Sequence, residues 1–215
     1  LLLKKSVSKQ IRVAISPAIF NVGRLCENIT HEFIVGEMFR IALYDHALEV
    51  RVAALNVLND NVDKTLATPE CMKFFQVFVN DDATSVRQAT FSLLEKLIIY
   101  NPMMVTSITR NALLDAFFII RNVPSIRSKS RIARCLPDLV KASKRTIKLY
   151  SSGLMEIAVD VFKQRQNQNL KFENFLEVHA YEKFLIGIIN TVALLAPIDP
   201  DQVSKHGEFI IIFLS

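Results

Sequence analysis

An aliphatic residue followed by arginine, a spacer and a small residue recurs along this chain. It appears as Ile11-Arg12-Val13-Ala14, Val50-Arg51-Val52-Ala53 and Val86-Arg87-Gln88-Ala89, and in degenerate form as Ile126-Arg127-Ser128-Lys129. The arginines are 39, 36 and 40 residues apart. A fixed period of that size restricts the fold more tightly than composition does, because it marks one supersecondary unit that is stacked repeatedly. In two copies an aspartate stands five residues ahead of the aliphatic position, Asp45 before Val50 and Asp81 before Val86.

Each copy opens an apolar stripe at helical spacing. Val86, Ala89, Thr90, Leu93, Leu94, Leu97 and Ile98 fall at offsets 0, 3, 4, 7, 8, 11 and 12, which leaves Arg87, Gln88, Ser92, Glu95 and Lys96 for the opposite face. Val50, Ala53, Ala54, Val57 and Leu58 repeat the pattern, as do Ile11, Ala14, Ile15, Ala18 and Ile19, with Pro17 read as a kink. Asp81 or Asp82 is the expected N-cap of the third copy, and Asn101-Pro102 its stop. Second amphipathic segments lie between the copies, near 30–43, 68–79, 102–120 and 146–163, each opened by a Thr or Pro suited to a helix start.

The expected fold is therefore all-α, a HEAT-like α-solenoid in which antiparallel helix pairs stack into a superhelix. Residues 1–215 read as one continuous array with units near 8–43, 47–79, 83–120, 124–165 and 175–215. Only 5 of the 215 residues are glycine, 51% are hydrophobic and no strand-type alternation occurs, which agrees with such an array. A pair of helices cannot bury its apolar face alone, so each unit needs its neighbours. KQRQNQNLKFEN (163–174) reads as a loop, APIDPDQ (196–202) as a turn, and helices are expected near 177–196 and 201–214.

No starting Met is present and the sequence stops on the apolar run EFIIIFLS, so the chain is expected to be an excerpt of a longer one, prone to aggregate in isolation. The longest uncharged run, Phe184 to Ile198, is 15 residues, short of the roughly 18 to 20 needed to span a bilayer, so no transmembrane helix is expected. Cys26, Cys71 and Cys135 form no close pair, and His31, His46, His179 and His206 are scattered, so neither metal nor redox chemistry is expected of them. No phosphate-binding glycine loop, GxSxG, His-Glu-x-x-His or kinase catalytic segment occurs. No catalytic, cofactor or metal residue is assigned.

Charge is concentrated. Residues 121–148 carry nine Lys and Arg against the single acid Asp138, while the whole chain is only +5. Such a strip steers acidic partners. Aromatic side chains that would stack on bases are missing from it, so composition favours a solvated face first, an acidic protein second and nucleic acid or lipid last. Arg131, Arg134, Lys141 and Lys144 are the candidate partner-facing residues. Leu93, Leu94, Leu97, Phe117 and Phe118 are the expected packing residues.

The Asp-(x)4-Val-Arg-x-Ala units resemble HEAT repeats, in which Asp and Arg of successive units form a ladder. That likeness makes Asp45, Arg51, Asp81 and Arg87 ladder candidates, with Arg12 and Arg127 as copies lacking an Asp at the same offset. More narrowly, SVRQATFSLLEKLIIYNPMMVTSITRNALLDAF is similar to a segment of target-of-rapamycin (TOR) kinases, carried here by Arg87, Leu94, Asn101, Pro102, Val105, Arg110, Leu113 and Leu114. SKSRIARCLPDLVKASKRTIKLYSSGLMEIAV resembles that family's next unit, with Tyr150 near its second helix. The chain departs from the family at Ile98-Ile99-Tyr100 and Met103-Met104 and lacks acids in 121–131, which marks a divergent member or a neighbour in the wider family of large lipid-kinase-like protein kinases.

The resemblance implies a helical scaffold ahead of the catalytic region of a Ser/Thr protein kinase acting in nutrient and growth signalling. It implies protein partner subunits and homodimer contacts, with ATP and Mg bound downstream. It also implies a cytoplasmic location, at endomembrane surfaces through partners. The competing class is a stand-alone transport or cytoskeletal adaptor. Against it, an armadillo-type importin would carry Trp-Asn ladders and this chain has no Trp, while a tubulin-binding array would spread its basic residues over successive units.

Overall fold

The computed structural model describes residues 8–25, 31–167 and 174–207. Among them every regular element is helical. They divide into two compact units, Leu1–Ile108 and Thr109–Ser215.

The first unit contains α1 (Lys9–Leu25), α2 (His31–Tyr44), α3 (Leu48–Asp60), a 3-10 turn at Lys64–Ala67, α4 (Pro69–Phe78), α5 (Thr84–Leu97) and the start of α6 (Pro102–Asn122). Helices α1, α3 and α5, the ones that carry the Arg motif, pack in sequence: α1 against α3, and α3 against α5. Val50, Ala54, Leu55 and Leu58 of α3 and Val86, Leu93, Leu94 and Leu97 of α5 are fully enclosed. The alternate helices α2 and α4 meet through aromatic rings. Phe39 stacks on Phe74 at 4.8 Å, meets Phe75 edge-on at 5.4 Å and lies 6.0 Å from Phe78. Burying each of these side chains contributes about 1.5–3 kcal/mol, and an aromatic pair adds about 1 kcal/mol beyond its area.

The helix starts follow local chemistry. Thr68 Oγ1 accepts from the Cys71 amide at the head of α4, with Pro69 in the first turn where its missing N–H is harmless. Asn101 Oδ1 accepts from Met104 N at the head of α6, and its Nδ2 donates to Ala67 O at 2.8 Å, so one side chain both starts a helix and ties it to the preceding turn.

Three expectations for this unit are corrected. In α1 the buried positions include Arg12, Ser16, Phe20 and Gly23, while Ile11, Ala14 and Ala18 are exposed. The helix is rotated because the Arg12 side chain turns inward to an acid on the next helix pair. In α5, Arg87 is 8% exposed rather than solvated, and Thr90 is accommodated in the core by donating to Val86 O at 2.8 Å. The N-cap of α5 is Ala83, without a side-chain cap, because Asp81 is engaged elsewhere.

The second unit holds the remainder of α6, then α7 (Ile126–Ala133), α8 (Leu136–Ala142), a 3-10 turn at Ile147–Leu149, α9 (Ser151–Asn167), α10 (Phe175–Leu195) and α11 (Pro200–Lys205). The expected first helix of the fourth copy is thus broken in two at Arg134–Cys135, with Pro137 in the first turn of α8. The second helix starts at Ser151 instead of Thr146, which makes no cap bond. Helix α9 runs on into the expected loop as far as Asn167, while residues 168–173, like Cys26, Thr30 and 208–215, lie outside the described residues. Phe117 is half-buried against Tyr150, at 6.5 Å between rings, but Phe118 is 63% exposed and is not a packing residue.

Helix α10 is the centre of this unit, packing on α7, α8, α9 and α11. Asn174 caps it by accepting from the Glu177 amide. By length and composition α6 and α10 could each cross a membrane. In α10, however, the apolar residues Phe184, Leu185, Ile188, Val192 and Leu195 are buried against neighbouring helices, as in a core helix. Its crossing with α7 needs glycine: a Cβ on Gly187 would stand 2.4 Å from Ala133 O.

Because the obstacle at Gly187 is backbone, Gly187→Ala is expected to destabilise the full chain by about 1–3 kcal/mol. Gly36→Ala, with nothing within 4 Å of the new methyl, should instead stabilise it by about 0.5–1 kcal/mol. Denaturant midpoints of the two variants, compared with the parent, check the opposite signs.

Candidate interaction surface and inter-repeat ion pairs

The polar groups that matter most in the first unit join one repeat to the next. Arg12 donates from Nε to Asp45 Oδ2 at 2.9 Å and from Nη2 to Asp45 Oδ1 at 3.0 Å, a two-bond fork across 33 residues of sequence. The side chains are only 6% and 10% exposed. Arg51 makes the equivalent ion pair with Asp81, 30 residues on. Each aspartate also accepts the backbone N–H two residues ahead, Ala47 for Asp45 and Ala83 for Asp81, both at 2.8 Å. The acid therefore shapes the turn before a helix and anchors the previous helix pair at once.

Of the ladder candidates, the structure brings together Arg51 and Asp81, and pairs Asp45 with Arg12. The copy that carries Arg12 has no Asp at the same offset upstream; the acid that Arg12 meets, Asp45, belongs to the following copy. Arg87 is buried and reaches Thr84 Oγ1 at 3.4 Å. Arg127 is exposed and makes no ion pair among the described residues.

Other contacts follow the same spacing. Asn59 Nδ2 donates to Ser92 Oγ across 33 residues, Lys96 Nζ to Asn59 O across 37, Lys9 pairs with Glu49 across 40, and Arg121 with Glu156 across 35. Side-chain bonding one period along the chain, with apolar helices stacked in the same order, is what a repeat array requires.

The basic window lies in the second unit. Arg131, Arg134, Lys141 and Lys144 are all exposed, on or beside α7 and α8. Lys129 differs, being half-buried, and burial pushes its ammonium below the ordinary lysine value. A cavity of about 430 Å³ in the first unit, between α2 and α4, has Val35, Phe39 and Phe74 in its lining and carries Glu32, Glu70 and Cys71. Burial first, and then the charges of Glu70, Asp63 and Glu32, push the Cys71 thiol up, against a lowering bond from Thr68. A thiol so placed stays protonated and is a poor nucleophile.

No family model matches the chain. Against curated proteins it is 22% identical over 150 residues to the Ser/Thr-protein kinase mTor of Drosophila melanogaster, covering 70% of this chain and 6% of that one. It is 22% identical over 124 residues to the Ser/Thr-protein kinase tor1 of Schizosaccharomyces pombe, covering 58% and 5%. It is 23% identical over 124 residues to TOR2 of Saccharomyces cerevisiae, again covering 58% and 5%. Over more than half of its length, this chain is similar to TOR kinases. It spans about a twentieth of those relatives' length.

The Arg12–Asp45 pair carries a pH signature. Burial alone would push the Asp45 carboxyl up, but hydrogen bonds from Arg12 and the Ala47 amide, with the Arg12 charge, hold it below the usual carboxylate range. A depressed carboxylate stabilises the fold above its unfolded value, near pH 4, and that stabilisation is lost as pH falls through the lower folded value. Asp45→Asn is expected to cost about 3 kcal/mol at neutral pH, since it strands a buried guanidinium, and to flatten the acid limb of stability measured by denaturant titration below about pH 5. In a double-mutant cycle, Arg51→Ala and Asp81→Ala should couple by about 1 kcal/mol or more, whereas Arg127→Ala should shift stability by less than about 0.5 kcal/mol.

Proposed function

We propose that this chain is a HEAT-repeat, protein-interaction scaffold segment lying ahead of the catalytic region of a TOR-like Ser/Thr protein kinase. The observation that carries the reading is the pairing of two motif arginines with an Asp one repeat later, Arg12 with Asp45 and Arg51 with Asp81, in a chain whose partial relatives are Ser/Thr-protein kinases of the TOR group. Such pairs fix the register of stacked helices, and a register-locked array holds its surfaces at set distances.

Arg12, Asp45, Arg51 and Asp81 are used for stacking, so the role proposed is mechanical. The array positions protein subunits, and a second copy of the chain, relative to a catalytic region elsewhere in the polypeptide. ATP and magnesium belong to that region in this reading, and no residue described here is assigned to them. Growth and nutrient signalling, in the cytoplasm and at endomembrane surfaces reached through partners, is the setting it implies. Arg131, Arg134, Lys141 and Lys144 form the partner-facing surface.

The transcript that carries this sequence, read downstream, is expected to encode a kinase catalytic loop and an Asp-Phe-Gly-type metal site. A reading frame that closes after a few more repeats would replace the kinase scaffold with a free-standing adaptor. In the full chain, changing Arg131, Arg134, Lys141 and Lys144 together to Gln should lower recovery of co-purifying subunits several-fold at low salt, with unfolding midpoints unchanged. Unaltered recovery would remove this face from the interface.

A further inference from the structure

The fourth copy of the motif departs from the others at one informative position. Two residues after the motif Arg stand Ala14, Ala53 and Ala89, but the fourth copy has Lys129. A half-buried lysine ordinarily finds a carboxylate, because removing an ammonium from water is costly unless it is paired. The Lys129 ammonium has no hydrogen bond or ion pair among the described residues, and burial is what pushes it down.

Lys129 lines a cavity of about 160 Å³ bounded by α6, α7, α9 and α10. Arg121 and Gln164 add further donors, Ile157 and Phe184 supply apolar wall, and Asp160 is an exposed acid in the lining. Arg121 is held from outside by Glu156, at 3.1 Å through a single Nη2, which leaves other guanidinium N–H groups available. The volume is too small for a typical ligand pocket of about 300 Å³ or more and several times the roughly 30 Å³ share of one water. It suits one side chain.

We propose that this cavity receives a single carboxylate side chain from an acidic protein segment, with Lys129 as the charge partner and Arg121 and Gln164 as hydrogen-bond donors. The window 121–148, which supplies Arg121 and Lys129 to the lining, carries nine basic residues against one acid and favours the approach of such a segment. The apolar wall matches the methylene stem of a glutamate. Naming a protein as the source rests on the scaffold reading; the carboxylate pocket stands on its own geometry. Asp160, exposed in the same lining, forms no ion pair with Lys129.

The test couples carboxylates to amines with a water-soluble carbodiimide on the purified full chain, followed by peptide mass mapping. The probe is a biotinylated, end-blocked peptide whose one acid is a Glu between leucines, with its Gln counterpart as control. Lys129 should be labelled roughly tenfold more than the exposed Lys141 and Lys144, a preference worth about 1.4 kcal/mol, and Asp160→Asn should increase it. Labelling no greater than at those lysines, a dominant Lys129–Asp160 cross-link, or protection of Lys129 by inorganic phosphate but not by excess peptide would each overturn the proposal.

A second arm applies the reagent to the chain with its co-purifying proteins. Partners joined at other lysines while the peptide spares Lys129 would leave the scaffold and remove the pocket. Peptide labelling at Lys129 in a chain that retains no partner would do the reverse.

Discussion

Two amphipathic helices cannot cover each other's apolar faces, and everything else in the first unit depends on how the next pair completes that burial. Phe39 of α2 is enclosed only because Phe74, Phe75 and Phe78 of α4 close over it. Leu55 and Leu58 of α3 are enclosed as α1 and α5 pack on that helix from their own copies of the motif. Apolar burial supplies the favourable free energy, at about 25 cal/mol per Å². It has no directional preference, so by itself it does not choose the register of the stack.

Register comes from the ion pairs. A carboxylate that has already fixed the N–H two residues ahead of it cannot move far, and the forked guanidinium of Arg12 fits it in one geometry. The net gain of such a pair is small because both groups give up water, while breaking it strands a buried charge. The pair therefore contributes more to specificity than to stability. The second unit achieves the same end differently, with the Gly187–Ala133 approach of two helix backbones and a 2.6 Å contact between the buried Ser151 hydroxyl and Asp199. Both devices tolerate almost no displacement, as a close-packed interior demands.

A chain that uses its polar residues in this way is suited to holding surfaces apart at fixed distances. The basic window on α7 and α8 is the clearest concentration of charge, with Arg131, Arg134, Lys141 and Lys144 all exposed. The half-buried Lys129 is the point where that surface turns inward.

Helical class, period, the Asp and Arg pairing residues and most helix starts were legible in the sequence, because they arise from spacing and from side chains that bond within a turn or two. Thr68, Asn101 and Pro102 act locally and stand where local chemistry places them. The rotation of α1, the burial of Arg87, the exposure of Phe118 and the break at Arg134–Cys135 were not legible. Each depends on what a different helix presents at the same height. Amphipathic spacing ranks faces by hydrophobicity alone, and a guanidinium drawn inward by an acid 33 residues away reverses that ranking at Arg12. The period belonged to the sequence; which acid answers which arginine, and which lysine is left without one, was decided only when the helices packed.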